Sequence, residues 1–271
     1  MADVKKLVKD FEYFRTRYDL WNIYSDFLEM FAIAISNSVK KIAEPIKYVE
    51  RESQYLNLVK KYKKEDLSKF AKIFADFIYM QDESIRKGDG AQDILGSLLM
   101  ELELGSKWNG QFFTPGCMAN LLGIIALDED RVAKEIKKDG FIMASDPAVG
   151  GGVTIIGLIN AMMDKGFNPQ RQLFVDCGDL DRRACYMTYI QLATLGIPAI
   201  VKNQDTLLNK VFDVWFTPAF YLDGWWFRLK DFRAKDEGEK IAKSKEIIAK
   251  REDSQEEVEI ACKEDEQLSM F

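Results

Sequence analysis

An acidic, glycine-rich turn separates a strand-length apolar run from a helix-length one: Asp146-Pro147-Ala148-Val149-Gly150-Gly151-Gly152. The run before the turn covers residues 141–144, and the run after it covers residues 153–163. Consecutive glycines between a strand and a helix allow a tight turn and let a ligand approach the backbone. The spacing differs from the G-x-G-x-x-G of dinucleotide enzymes, and a purely structural turn is the alternative interpretation.

Two more acidic positions follow strand-length apolar runs. Residues 173–177 are followed by Gly178-Asp179-Leu180-Asp181, and Asp205 comes four positions after the run 199–201. A carboxylate at the tip of the second strand of a βαβ unit can accept hydrogen bonds from ribose hydroxyls, which makes Asp179 the candidate ribose ligand. Asp205 is a candidate acceptor for an exocyclic amine on the ligand's base, with a helix N-cap as the alternative. These positions together predict a ligand that contains a nucleoside.

Other chemistries are excluded by composition. The chain contains no histidine, so a His general base and a His-dependent catalytic triad are ruled out. Its four cysteines lack C-x-x-C spacing and are predicted to be structural free thiols: Cys117, Cys177, Cys185 and Cys262. We therefore predict no metal site, since zinc would lack its usual ligand sets.

Strand-length runs alternate with helix-length segments after about residue 105. The predicted strands lie within residues 141–144, 173–177, 199–201 and 211–216. This alternation predicts right-handed βαβ units and a mostly parallel sheet, so the fold class is α/β. Residues 225–229 are a candidate for one further strand, in which Trp225 and Trp226 either pack in the core or contact bases.

The regions on either side differ from this α/β core. Aromatic and aliphatic residues recur at three- and four-residue spacings in residues 8–38, which predicts an amphipathic helix, and helical patterns continue to about residue 105. Lysines 60, 61, 63 and 64 form either a solvated face or a phosphate-contacting patch. From about residue 233 the chain is rich in Lys and Glu. We thus predict a helical N-terminal region (1–105), an α/β domain (106–232) and a helical or disordered tail (233–271).

The order of these motifs resembles the modification subunits of type I restriction systems and related N-6 adenine DNA methylases. Asp93-Ile94-Leu95-Gly96 and Gly110-Gln111-Phe112-Phe113-Thr114-Pro115 resemble the D-x-x-G and G-Q-F-[FY]-T-P segments of that family. The turn at Asp146 resembles its D-P-A-C-G-S-G loop, with Val149 and Gly151 in place of Cys and Ser. The resemblance extends through the acidic positions Asp179 and Asp205 to Phe220.

The resemblance implies a Rossmann-like, S-adenosylmethionine-dependent methyltransferase sheet, truncated relative to a complete enzyme, with a helical N-terminal region. In the family the Phe-Thr-Pro segment lies against the methionine end of the cofactor. The cofactor-binding residues that it implies here are Phe113, Thr114, Pro115, Asp146, Pro147, Gly150, Gly152, Asp179 and Asp205.

The catalytic segment departs from the family pattern. Thr217-Pro218-Ala219-Phe220 stands where the family has [NDS]-P-P-[YFW]. In the family, the first side chain and the next carbonyl accept hydrogen bonds from the adenine N6 amine, and the aromatic ring stacks on the flipped base. The resemblance therefore implies catalytic roles for Thr217, Pro218 and Phe220. Together with Gly224-Trp225-Trp226, the segment also resembles a short phage- and plasmid-borne branch that has Thr-Pro-Ala at this position.

The last five residues resemble a short binding motif that is unrelated to the methylases. Gln267-Leu268-Ser269-Met270-Phe271 is similar to the Q-L-[SD]-L-F peptide with which bacterial replication and repair proteins bind the sliding clamp. In such a peptide Leu268, Met270 and Phe271 would enter an apolar groove, while Gln267 fixes the orientation.

The leading hypothesis is an S-adenosylmethionine-dependent adenine-N6 methyltransferase of double-stranded DNA, encoded by a phage or mobile element. A specificity subunit would be a further partner. The sequence predicts no signal peptide or membrane span, so we expect it in the bacterial cytoplasm. The alternative is a catalytically inactive, methyltransferase-like protein that attaches to the sliding clamp. Methylation of RNA or protein on the same scaffold is a third reading. A net charge of −6 argues against a surface that is coated throughout by nucleic acid.

Overall fold

Helices make up the N-terminal region of the computed structural model, which describes residues 4–104, 114, 116–235 and 237. The prediction of helices up to about residue 105 is confirmed for the described residues. They are α1 (Lys5–Glu12), α2 (Leu20–Ala43), α3 (Pro45–Val59), α4 (Lys64–Lys87) and α5 (Ile94–Glu101).

The aromatic face of α2 packs against α1 and α4. The Phe27 ring meets Phe11 edge-on at 5.2 Å between centroids, and Phe31 stacks on Phe74 at 4.0 Å. These contacts explain the three- and four-residue spacing, since it brings the rings to one side of the helix. Asp19 caps the start of α2 by accepting a hydrogen bond from the Asn22 N–H.

The second half of the chain alternates strands and helices around one four-stranded sheet. The elements are α6 (Gly116–Ala126), α7 (Glu129–Asp139), β1 (Ile142–Asp146), α8 (Val153–Asp164), α9 (Pro169–Gln172), β2 (Leu173–Asp179), α10 (Arg182–Thr194), β3 (Ala199–Asp205), β4 (Lys210–Phe216) and α11 (Pro218–Leu222). The strand order is β1-β2-β3-β4, and β1, β2 and β3 are parallel. The α/β class and the mostly parallel sheet are therefore confirmed.

The fourth strand runs against the other three. β4 pairs with β3 in antiparallel register, with Asp205 opposite Lys210 and Ile200 opposite Phe216. Only residues 206–209 join the two strands. A parallel connection needs a crossover of roughly a dozen residues, whereas a link this short closes a hairpin. The expectation of a βαβ connection does not hold for this pair, and the end of β4 lies at the amino edge of the parallel strands.

A buried arginine joins the helical region to β4. Arg51 of α3 stacks on the Trp215 ring, with the guanidinium carbon 3.2 Å from the ring centroid. It also donates hydrogen bonds to the Val214 carbonyl oxygen at 3.0 Å and to Asp213 at 3.3 Å. Buried side chains of the N-terminal helices and of the sheet, among them Trp215 of β4, belong to one apolar cluster.

Residues 225–235 are helical, so the strand that we considered at residues 225–229 is wrong. Trp225 is fully buried, and its ring stacks on Phe174 at 5.4 Å between centroids, so its interpretation as a core residue is confirmed. The residues up to Trp225 form one compact unit, and Trp226 begins a second. Among the described helices, none is long and apolar enough to cross a membrane. Most of the predicted tail lies outside the described residues.

Candidate functional site

Three acidic residues end the three parallel strands. Asp146, Asp179 and Asp205 are the last residues of β1, β2 and β3. Because these strands are parallel and adjacent, their carboxyl ends share one edge of the sheet. Open α/β sheets bind ligands at this edge. The structure therefore brings together the candidate cofactor-binding residues of the strand tips.

The glycine-rich turn after β1, residues 147–152, forms a loop that leads into α8, and we call it the glycine loop. Asp146 anchors its start by accepting hydrogen bonds from the Ala148 N–H at 3.1 Å and the Thr154 hydroxyl at 2.7 Å. Gly150 and Gly152 have φ values of 56° and 91°, which side chains rarely adopt. A Cβ at Gly150 would meet no atom within 4 Å, so open space adjoins the loop there.

The Asp179 carboxylate joins the glycine loop to the tip of β2. One oxygen accepts a hydrogen bond from the Gly150 N–H, and the other accepts one from the Asp181 N–H, both at 2.9 Å. Asp179 is 7% exposed. Burial raises the pKa of its carboxyl, which the hydrogen bonds from the two N–H groups oppose. A carboxylate has about four lone-pair sites, so it can still accept from a further donor.

Two residues of α10, which we did not predict as site residues, donate hydrogen bonds to carbonyl oxygens of the glycine loop. The Thr188 hydroxyl donates to the Gly150 carbonyl oxygen at 2.8 Å. The Gln191 side-chain amide donates to the Gly151 carbonyl oxygen at 2.7 Å. Both residues are fully buried. Their three-residue spacing places them on one side of a helix, but the sequence does not say which loop that side meets.

Asp205 forms a local turn. One of its oxygens accepts a hydrogen bond from the Leu208 N–H at 2.9 Å. Residues 206–209 form a turn and not a helix, so the helix N-cap alternative is wrong. The neighbouring Thr206 hydroxyl donates to the Pro147 carbonyl oxygen at 2.8 Å. The β3–β4 hairpin is thereby tied to the glycine loop, and Asp205 is held at the carboxyl edge.

Of the predicted Phe-Thr-Pro segment, Thr114 is described and is partly buried. Phe113 and Pro115 lie outside the described residues. The clamp-binding candidates Gln267, Leu268, Met270 and Phe271 also lie outside them.

The catalytic candidates are not brought to this edge. Thr217 follows β4 and lies beside Ala199, the first residue of β3. It is therefore at the amino edge, roughly 20 Å from the strand tips, because a strand rises about 3.3 Å per residue. Its fully buried hydroxyl donates to the Ile197 carbonyl oxygen at 2.8 Å and accepts from the Ala199 N–H at 2.9 Å.

The aromatic candidate of the same segment is part of the core. Phe220 is 2% exposed, and its ring lies 4.7 Å from that of Phe216 and 6.3 Å from that of Phe174, measured between centroids. Pro218 begins the short helix α11. Antiparallel pairing of β4 is the physical reason that all three residues lie away from the cofactor edge, and a buried ring has no face on which a base can stack.

A groove of about 280 Å³ follows the edge of β1 that faces away from β2. At the carboxyl end of β1 the groove reaches Asp146, and it also reaches Thr154 of α8. Its walls are formed by α6, α7, α8 and β1, and the residues include Leu122, Leu127, Val132, Ile142 and Leu158.

Comparisons with known proteins give one weak likeness. No protein-family model and no curated protein matches the sequence. The chain is similar to the crystal structure of a type I restriction-modification system methyltransferase subunit from Streptococcus thermophilus, with a TM-score of 0.36 and 16% sequence identity. The match covers 74% of this chain and 57% of that subunit, so the chain spans a little over half of the subunit's length.

Proposed function

We propose that this protein is methyltransferase-like and binds S-adenosylmethionine at the carboxyl edge of β1, β2 and β3. The observation that supports this best is the hydrogen bond from the Gly150 N–H to Asp179. It joins a glycine loop after one parallel strand to a carboxylate at the tip of the next, an arrangement suited to a nucleoside ligand. The order of motifs along the sequence, which resembles that of N-6 adenine DNA methylases, is the reason that we choose S-adenosylmethionine among the possible nucleoside ligands.

The described residues fit such a ligand in chemical terms. Asp179 has lone pairs for the ribose hydroxyls, and Asp205 has them for the exocyclic amine of the adenine. The methionine portion would lie against Gly150, Gly152 and Thr114, together with Phe113 and Pro115. Asp146 and Pro147 shape the start of the loop through the hydrogen bonds from Ala148, Thr154 and Thr206. When bound, S-adenosylmethionine supplies an electrophilic methyl group.

Binding is supported better than methyl transfer. The hydroxyl of Thr217 has both a donor and an acceptor partner within the fold, and Phe220 is in the core. Neither can receive an adenine in this arrangement. We therefore favour a cofactor-binding protein over an enzyme that uses these residues.

The test is calorimetric titration of the whole chain with S-adenosylmethionine. We expect micromolar binding that Asp179→Asn weakens about 10-fold or more, because an amide cannot accept from both N–H groups and the ribose. Asp176→Asn is the matched control, since Asp176 lies on the same strand but pairs with Lys202 at 2.5 Å. Absence of binding to the unsubstituted protein would contradict the proposal.

A second candidate is adenine-N6 methylation of double-stranded DNA. The groove along β1 favours it, because this groove reaches Asp146 beside the proposed cofactor site and offers an acceptor base a place that does not involve Thr217. A specificity subunit would then supply sequence recognition. The test measures transfer of labelled methyl groups to DNA by the unsubstituted protein and by a Thr217→Ala, Phe220→Ala double variant. The comparison shows whether methylation depends on these two residues. Methylation that the double variant keeps would point to the groove. Because both residues are buried, a loss supports the original catalytic assignment only if the double variant is folded by circular dichroism and still binds S-adenosylmethionine like the unsubstituted protein.

The partner we propose for a non-catalytic protein is the bacterial sliding clamp. The support is the sequence of the C-terminal peptide alone, in which Leu268, Met270 and Phe271 are the apolar anchors. A pull-down with immobilised clamp should retain the full chain and lose a variant without residues 267–271. Equal retention of both would refute this partner.

A further inference from the structure

Two large aromatic side chains are exposed next to each other in the first turn of the helix that residues 225–235 form. Trp226 is 64% exposed and Phe227 is 71% exposed, whereas Trp215 and Trp225 are buried in the core. Aromatic side chains gain much free energy when they leave water, so two adjacent exposed rings of this size indicate a binding surface.

Basic side chains share the side of the helix on which Trp226 lies. Lys230 follows Trp226 by four residues and Arg233 follows it by seven, a spacing that brings all three to one side of a helix. Both cations are exposed, and within the part of the chain that the structure describes neither forms an ion pair. We call Trp226, Phe227, Lys230 and Arg233 the aromatic–basic face.

The helix is basic although the chain as a whole is acidic. Residues 225–235 include four basic residues and one acidic residue, Asp231, while the chain has a net charge of −6. Asp231 follows Trp226 by five residues, which places it about 140° around the helix from Trp226. The aromatic–basic face therefore combines flat rings with positive charge, and the ligand that matches both is a polyanion that carries flat rings of its own.

We propose that the aromatic–basic face binds a single nucleic-acid strand. An unpaired base would stack on Trp226, while Lys230 and Arg233 would pair with backbone phosphates. In a duplex each base is covered by its neighbours in the stack, so a single strand fits exposed rings better. Stacking and phosphate pairing do not involve the 2′-hydroxyl, so DNA and RNA strands present the same chemistry to this face. The inference goes beyond the proposed cofactor site and does not depend on it.

An anionic membrane surface is the main competing ligand, and the helix is poorly suited to it. A helix that lies in a membrane surface needs a free apolar face that can enter the lipid. Here the apolar residues Trp225 and Leu229 are buried in the protein. The exposed rings are confined to the first turn, and Trp226 shares its side of the helix with cations, so no separate apolar face remains.

The experiment titrates the whole chain, without S-adenosylmethionine, into a fluorescently labelled strand of about 20 thymidines and follows the anisotropy. We expect Trp226→Leu to weaken binding about 5-fold or more, because leucine is apolar but has no face on which a base can stack. Trp226→Phe keeps a ring and should bind within about 3-fold of the unsubstituted chain. Tyr79→Leu is the matched control, since Tyr79 is 63% exposed but belongs to α4.

The salt dependence of binding tests the cations. Lys230→Ala should lower the slope of the logarithm of the affinity against the logarithm of the salt concentration by about 0.7, the contribution of one phosphate contact to a single strand. Lys134→Ala, which removes an exposed lysine of α7, should leave the slope unchanged and is the control.

The choice of ligand decides between the possible occupants of the face. Strands of thymidine and of uridine should bind within about 3-fold of each other, and a duplex of the same length should bind about 5-fold more weakly or worse. No binding of either strand, equal binding of the duplex, or an unchanged affinity in Trp226→Leu would overturn the proposal. Binding of phosphatidylserine vesicles in place of the strands would assign the face to a membrane and overturn it too. Because no arm contains S-adenosylmethionine, a failure here is distinguishable from a failure of the cofactor site.

Discussion

At the scale of single residues, Thr217 is explained by its contacts within the fold. Its hydroxyl joins the turn before β3 to the end of β4, because it donates to the Ile197 carbonyl oxygen and accepts from the Ala199 N–H. Its own N–H donates to the Ala199 carbonyl oxygen. A threonine at this position therefore closes the amino edge of the sheet where β4 ends.

Thr217→Val should destabilise the protein and leave cofactor binding unchanged. Valine has the shape of threonine but leaves the Ala199 N–H and the Ile197 carbonyl unpaired in the core, at a cost of about 1–3 kcal/mol. Urea unfolding measures the loss, and calorimetry with S-adenosylmethionine checks the site. Thr217→Ser keeps the hydroxyl and is the control. Wild-type stability of the valine variant would show that these hydrogen bonds contribute little.

At the scale of elements, the glycine loop depends on how closely α8 can lie to α6. The two helices cross at Ala119, Gly123 and Gly157. A Cβ added at Gly123 would overlap the Gly157 carbonyl, and one added at Gly157 would overlap the Ala119 carbonyl. Backbone atoms cannot move aside as a flexible side chain can, so small residues set the separation of the helices.

Two alanine substitutions on the same helix test this crossing. Gly123→Ala should destabilise the protein by about 1–3 kcal/mol, since α8 must move away from α6. Gly116→Ala should be neutral or stabilising by up to about 1 kcal/mol, because a Cβ there meets no atom within 4 Å and alanine favours a helix. Urea midpoints of the two variants give the comparison. Equal effects would contradict the close crossing.

The sequence predicts the strand tips better than it predicts the connections between them. Asp146, Asp179 and Asp205 each follow an apolar run by two to four positions, which predicts strand ends, and parallel pairing brings these ends to one edge. The hairpin between β3 and β4 differs from the predicted βαβ connection, because the strands extend to Asp205 and from Lys210 and leave only residues 206–209 between them. The resemblance implies a catalytic role for Thr217, which this antiparallel strand places at the amino edge. The roles of Thr188 and Gln191 were not readable, because they depend on which loop the buried face of α10 meets.

At the scale of the whole molecule, two buried carboxylates affect acid stability in opposite directions. Burial alone would raise the pKa of Asp66, but hydrogen bonds from Tyr18 and Arg17 outweigh it and hold the pKa below its usual range. The stability that Asp66 contributes is therefore present above its unfolded pKa and lost as the pH falls through its folded pKa. At Asp93, burial raises the pKa. Its contribution is present below its unfolded pKa and lost as the pH rises through its folded pKa.

Asparagine substitutions should therefore change the pH profile of stability in opposite ways. For Asp93→Asn, we expect the free energy of unfolding relative to wild type to rise as the pH increases above about 4, the usual pKa of an aspartate, because the variant no longer buries a charge. For Asp66→Asn, we expect the deficit relative to wild type to shrink as the pH falls below about 4, where wild type loses its ion pair with Arg17. Urea unfolding from about pH 3 to 7 measures both differences. Profiles parallel to wild type in either variant would mean that the carboxyl in question titrates alike in the folded and unfolded chains, and the electrostatic role assigned to it here would be wrong.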